Sequence, residues 1–123
     1  MNDESEIRLA VASRAAEILR HDECIRQIRL LGSAAHGSAD FTSDIDLVIV
    51  VKECSTYDEQ ESYKGRFCDK LKDSDDRLGI GEGRMQLHIG IATVHDIEHP
   101  REALDPVLMM SMASGIQLYI ADA

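Results

Sequence analysis

Two short motifs stand ten residues apart in the chain, Gly32-Ser33 and then Asp44-Ile45-Asp46. Each has a chemistry of its own. A glycine lets backbone approach a bulky anion, and the serine hydroxyl and nearby amides are donors for phosphate oxygens. A helix starting just after them would add its positive end. Two aspartates one residue apart on an extended strand share a face, where their oxygens can hold a hard divalent cation. Such a cation bridges phosphate oxygens and offsets the charge that develops in transfer. A phosphate cradle beside a carboxylate pair is the minimum apparatus for moving a nucleotidyl group from a nucleoside triphosphate.

The elements that must position these motifs follow from the periodicity of apolar residues. Residues 44–51, DIDLVIVV, read as a central strand, apolar on both faces after its first residues. Asp44 and Asp46 stand at its entrance, a placement that is costly unless a cation or hydrogen bonds satisfy them. Residues 26–31 read as a strand ending at Gly32-Ser33, with a small polar loop or short helix through Thr42. A helix is expected over 5–21, with Ile7, Val11, Ala15, Ile18 and Leu19 as its stripe and Asp3 or Ser5 as its cap. A second is expected over 56–72, capped by Ser55 or Thr56, with Tyr63, Phe67 and Leu71 facing the core. Residues 73–84, with Gly79, Gly81 and Gly83 and the acidic run Asp73-Asp75-Asp76, read as a solvated loop. A strand over 85–91 follows, then a turn with Thr93 and Asp96 as a capping-box variant. Asp105-Pro106 starts a helix that runs to Ser114, with Gly115 as a left-handed terminator. Met109, Met110 and Met112 read as its packing. Ile116–Ile120 closes the chain as a strand. The order predicts one α/β domain over 1–123 with a mixed sheet.

The composition narrows the partners. In 123 residues there are 13 Lys and Arg against 23 Asp and Glu, a formal net charge of −10. That balance disfavours direct docking on nucleic acid, where cationic side chains supply most of the affinity. With 4% aromatic residues and no Trp, base-stacking platforms are unexpected. No apolar run is long enough to span a membrane, and the acidic start MNDESE lacks the features of a signal peptide. Cys24, Cys54 and Cys68 are odd in number and lack zinc-site spacing, so free thiols in the cytoplasm are expected.

The segment LLGSAAHGSADFTSDIDLVIVV, residues 30–51, resembles the signature of the polymerase β-type nucleotidyltransferase superfamily, and the spacing is similar to that of its minimal members. Ser43, Leu47 and Gly37 also fit. The resemblance implies a short mixed sheet with helices mainly on one side. It implies attack by a hydroxyl on the α-phosphate of ATP or another triphosphate, with pyrophosphate leaving. Gly32, Ser33 and Ser43 would bind the nucleotide, while Asp44 and Asp46 would serve catalysis and ligate Mg2+ in a two-metal type of site. Many minimal members are antitoxins that attach AMP to a tyrosine of a HEPN-domain ribonuclease toxin. Others join a separate small helical subunit, so a hetero-oligomer is implied.

Two departures stand out. Active members of the family that the chain resembles usually carry a third carboxylate on a later strand, but MQLHIGI contains none. His88 or Gln86 takes that place; His88 is a candidate base near neutral pH, although magnesium prefers oxygen. Ala34 and Ala35 also stand where an arginine often follows Gly-Ser. A catalytically impaired module that neutralises its partner by contact is therefore a second expectation. A small-molecule (antibiotic) nucleotidyltransferase subunit is a third. His36, Tyr57, Tyr63 and Tyr119 have no local feature that singles them out.

Overall fold

The run IDLVIVV forms strand β2, Ile45–Val51, in which every residue except Asp46 is buried. In the computed structural model, which describes residues 1–74 and 86–122, β2 is an inner strand of a four-stranded mixed sheet. Strand β1 (Ile25–Leu31) pairs with it antiparallel, β3 (Leu87–Thr93) pairs with it in parallel, and β4 (Ile116–Ile120) adds antiparallel to β1. The sheet order is β3-β2-β1-β4. A parallel neighbour requires a long crossover, and helix α3 (Tyr57–Ser74) lies within it.

Helix α1 (Asp3–Leu19) and α3 cover one face. Their Ala12, Ala16, Leu19, Phe67 and Leu71 close over Ile28, Leu47, Ile49 and Ile91. The opposite face holds a smaller cluster, with Val48, Val50 and Ala92 among Met109 and Met112 of helix α5 (Pro106–Met112). Helix α2 (Gly32–His36) adds Ala34 to the first cluster, and Ile97 of helix α4 (Val94–Glu98), which precedes a 3-10 turn, Pro100–Glu102, packs against the second. This is the mixed α/β sheet, with its long helices on one face, that the sequence predicts. Among the described residues no helix is long and apolar enough to cross a membrane.

Several local expectations need correction. The buried stripe of α1 begins with polar residues, Ser5 and Arg8, before Ala12, Ala15, Ala16 and Leu19, whereas Ile7 is 48% exposed. Its cap is Asn2, whose side chain accepts the Ser5 amide. Strand β2 begins at Ile45, leaving Asp44 just outside, and β3 runs two residues beyond the predicted end. Helix α5 ends at Met112, and Gly115 does not have a positive φ. Gly115 is instead a packing glycine, since a Cβ there would stand 2.5 Å from Leu31 Cδ2 and 2.8 Å from the Leu30 carbonyl oxygen. Met109 and Met112 are buried but Met110 is 80% exposed. The capping box of Thr93 and Asp96, the Asp105 cap and the Thr56 bond to the Glu59 amide are present. Cys24, Cys54 and Cys68 are free thiols. Met85, the glycines at 79, 81 and 83 and the acids at 75, 76 and 82 lie outside the described residues, as do the side chains of Asp73 and Ser74.

One ionic cluster around the buried Asp22 ties α3 to the α1–β1 connection. The Asp22 carboxylate receives Arg66 at 2.5 Å and Lys70 at 2.7 Å. It also accepts the Cys24 amide at 3.1 Å. Burial acts to raise its pKa, but the hydrogen bonds from Cys24 and Lys70 and the charge of Arg66 carry it well below the ordinary carboxylate range.

Candidate active site

The two motifs meet because β1 and β2 are antiparallel neighbours. Leu31, the last residue of β1, pairs with Asp46, so the turn after β1 lies beside the entrance of β2. Gly32 opens α2 with φ +75°, a conformation that side chains disfavour. A Cβ at Gly32 would stand 2.5 Å from Asp46 Oδ2. Both backbone shape and space thus require glycine, and the absent side chain brings backbone directly against the carboxylate. Among the described residues the Ser33 hydroxyl has no hydrogen-bond partner, so it is available to a ligand.

Strand β3 supplies the third side. Asp46 pairs with His88 across the parallel β2–β3 ladder. His88 Nε2 lies 3.0 Å from Asp44 Oδ2. An ionised carboxylate only accepts, so Nε2–H is the donor in this contact. Asp44 and His88 are 43% and 57% exposed, which puts this pair within reach of a large ligand. Burial raises the pKa of Asp46; the charge of His88 opposes the shift and that of Asp44 adds to it. Asp46 is therefore an ionisable group that lacks enough positive charge around it.

The structure thus brings together Gly32, Ser33, Asp44, Asp46 and His88. Ser43 immediately precedes Asp44, and its hydroxyl accepts the Asp40 amide at 2.9 Å. Gln86 immediately precedes β3 and its carbonyl accepts the Ile45 amide at 2.8 Å. His36 ends α2 and has no role in the carboxylate group. Arg8 is a residue that the apolar stripe of α1 does not reveal. Its Nε donates to the Ser43 carbonyl oxygen at 2.8 Å. The available signal was its spacing, since Arg8 lies four residues before Ala12 on the buried face. A separate cleft of about 420 Å3, lined by Lys52, Glu53, Cys54, Thr93 and His95 among others, shares no residue with this group.

Among the described residues no three His, Cys, Asp or Glu side chains converge as a metal cage. Two carboxylates, one of them short of positive charge, nevertheless fit magnesium, which takes one or two carboxylates and fills its shell with phosphate oxygens and water. His88 does not fit as a third magnesium ligand because imidazole suits softer metals.

A family model for polymerase beta nucleotidyltransferases matches residues 13–90, from α1 through the middle of β3. The chain belongs to this nucleotidyltransferase family. No curated protein matches it. Among solved structures, it is similar to a candidate nucleotidyltransferase from Sulfolobus solfataricus, at 17% identity and a TM-score of 0.59, over 95% of this chain and 85% of that one. It is similar to a toxin–antitoxin solved with AMP-PNP, at 17% identity and a TM-score of 0.55, over 89% of this chain and 74% of that one. A weaker likeness, at 15% identity and a TM-score of 0.48, is to a tri-AMPylated Shewanella oneidensis HEPN toxin in complex with MNT antitoxin, over 93% and 73% of the two chains. At these identities the first two likenesses establish a shared nucleotidyltransferase fold.

Proposed function

We propose that this nucleotidyltransferase moves AMP from ATP to a hydroxyl on a partner protein, a tyrosine of a HEPN-type toxin, and thereby acts as its antitoxin in the cytoplasm. The observation that carries the reading is Gly32 backbone set directly against Asp46, with Asp44 beside it. Gly32 and Ser33 hold the phosphates, with the hydroxyl of Ser33 as a free donor. Asp44 and Asp46 would hold magnesium, which would offset the charge of the triphosphate and of the reacting α-phosphate. The acceptor oxygen forms a bond to that phosphorus as the bond to the bridging oxygen breaks, and pyrophosphate leaves. His88 Nδ1 is the acceptor that can take the hydroxyl proton, while Nε2–H stays on Asp44.

The partner class follows from the resemblance of residues 30–51 to minimal members and from the net charge of −10, which suits a basic ribonuclease surface. The toxin–antitoxin solved with AMP-PNP shares the fold and fits the same reading.

The test is incubation with magnesium, ATP labelled on its α-phosphate, and the partner. Label on a partner tyrosine, lost with Asp46→Asn, supports the reading. A partner that binds but takes no label from any triphosphate overturns it. The second reading, a module that neutralises by contact, is favoured by one observation: His88 occupies the β3 position beside Asp46. It expects neutralisation to survive Asp44→Asn and Asp46→Asn together.

A further inference from the structure

We infer that Arg8 is a positioning residue for Asp44, holding the segment between the two motifs in the form that presents that carboxylate. Arg8 is 2% exposed. A buried guanidinium is costly unless its charge and donors are met. Glu4, one helical turn earlier, meets the charge: Arg8 Nη1 donates to its carboxylate at 2.6 Å and to its carbonyl at 3.0 Å. That leaves Nε for the Ser43 carbonyl oxygen at 2.8 Å, one residue before Asp44.

The same end of α1 holds the far side of this segment. Ser5 Oγ accepts the Ala39 amide at 2.9 Å, and Asn2 Nδ2 donates to the Ala39 carbonyl at 2.9 Å. Asn2, Ser5 and Arg8 recur at three-residue spacing and so share a face. Between the two anchored points the turn is closed on itself. Asp40 Oδ1 accepts the Thr42 amide at 2.8 Å and its hydroxyl at 2.5 Å, and the Ser43 hydroxyl accepts the Asp40 amide at 2.9 Å. Residues 39–43 are thus a closed turn clamped at both ends by α1, and Arg8 is the clamp next to the site. A merely structural arginine would weaken the whole domain when removed. A positioning arginine loosens 39–43 first and weakens magnesium–nucleotide binding.

The binding consequence rests on the nucleotidyl-transfer reading; the hold on the turn does not. The full chain is therefore compared with Arg8→Met and Arg8→Lys in two measurements, amide hydrogen exchange and magnesium-dependent binding of AMP-PNP. In Arg8→Met, exchange at Ala39, Thr42 and Ser43 is expected to quicken about tenfold, the equivalent of one lost charged hydrogen bond, with Leu47–Val51 unchanged. AMP-PNP binding weakens about tenfold as well, and Arg8→Lys recovers part of both. Wild-type exchange in the turn, or equal quickening in the turn and β2, overturns the inference. If Arg8→Met does not fold, Glu4→Gln replaces it: severalfold quickening confined to 39–43 supports the hold, and none overturns it. If the wild-type chain binds no AMP-PNP, the transfer reading fails, while the exchange measurement still decides what Arg8 does.

Discussion

Asp22, in the turn before β1, and Asp46, near the start of β2, are both aspartates beside inner strands of the same sheet, yet their surroundings push them in opposite directions. Asp22 is buried with two cations and a backbone amide on it, and its carboxyl is held far below the usual range. Asp46 faces a second carboxylate, Asp44, and a histidine that hydrogen-bonds to Asp44, and its pKa is raised. The first carboxylate is finished within the chain. The second is left short of positive charge, which a protein tolerates where a ligand will supply it. The contrast separates a group that holds the fold from a group that we propose is kept for magnesium.

The largest expected effect breaks that contrast directly. Asp46→Asn removes a carboxylate proposed to hold magnesium and should lower label transfer to the partner by about a thousandfold, as loss of a charge-stabilising group at a reaction centre does. Asp22→Asn, assayed at a temperature where it is folded, should transfer within about twofold of wild type. Transfer rates under saturating magnesium and ATP decide both. A large loss in Asp22→Asn would mean that the two carboxylates do not divide fold from function.

Much of the site was legible in the sequence because its parts lie close together in it. Gly32-Ser33 and Asp44-Ile45-Asp46 fall at opposite ends of one loop, and DIDLVIVV has the density of β-branched residues that marks an inner strand. The strands and long helices followed from periodicity for the same local reason. What was not legible depends on contacts across the fold. Gly115 looked like a helix terminator, but its smallness answers to Leu31 and the Leu30 carbonyl, 84 and 85 residues away in sequence. Arg8 breaks the apolar stripe of α1, and its reason, the Ser43 carbonyl, lies 35 residues on. Ser43 looked like a nucleotide contact from its place before Asp44, while its hydroxyl serves the Asp40 turn.

Gly32→Ala sharpens the comparison by disturbing the functional carboxylate from outside. The new methyl would meet Asp46 Oδ2 at 2.5 Å in a backbone conformation with φ +75°. The expected stability loss is about 1–3 kcal/mol, from strain of this kind, and transfer should fall even where the variant is fully folded. Denaturant unfolding and transfer rates measured on the same preparation separate the two. Wild-type stability would show that the turn can shift away from Asp46.

Asp22→Asn tests the other member through stability. Breaking a fully buried pair costs about 3–5 kcal/mol, but Arg66 and Lys70 are 49% and 43% exposed and can return to water. A loss of about 1–2 kcal/mol is expected at neutral pH. Because the folded-state pKa of Asp22 is depressed, its contribution is present above the unfolded value of about 4 and fades as pH falls below it. The difference in Tm between wild type and Asp22→Asn should therefore shrink on acidification. A difference that is constant from neutral pH to about pH 3 would assign the loss to packing rather than charge.

Asp46→Asn should do the reverse, and by the smallest amount. The folded-state pKa of Asp46 is raised by burial and by Asp44, so its ionised form opposes folding. Below the unfolded pKa of about 4 the group is protonated in both states and the substitution changes nothing by this route. As pH rises through the raised folded value, the wild type loses stability that Asp46→Asn keeps. Without magnesium the variant should melt higher than wild type at pH 7 and match it near pH 3. On the proposed reading, magnesium with AMP-PNP should reverse the order, because it would bind the folded wild type through the carboxylate that the variant lacks. Thermal melts at the two pH values, with and without those ligands, read the sign directly. A variant less stable at pH 7 without ligand would show that Asp46, like Asp22, is already satisfied within the chain.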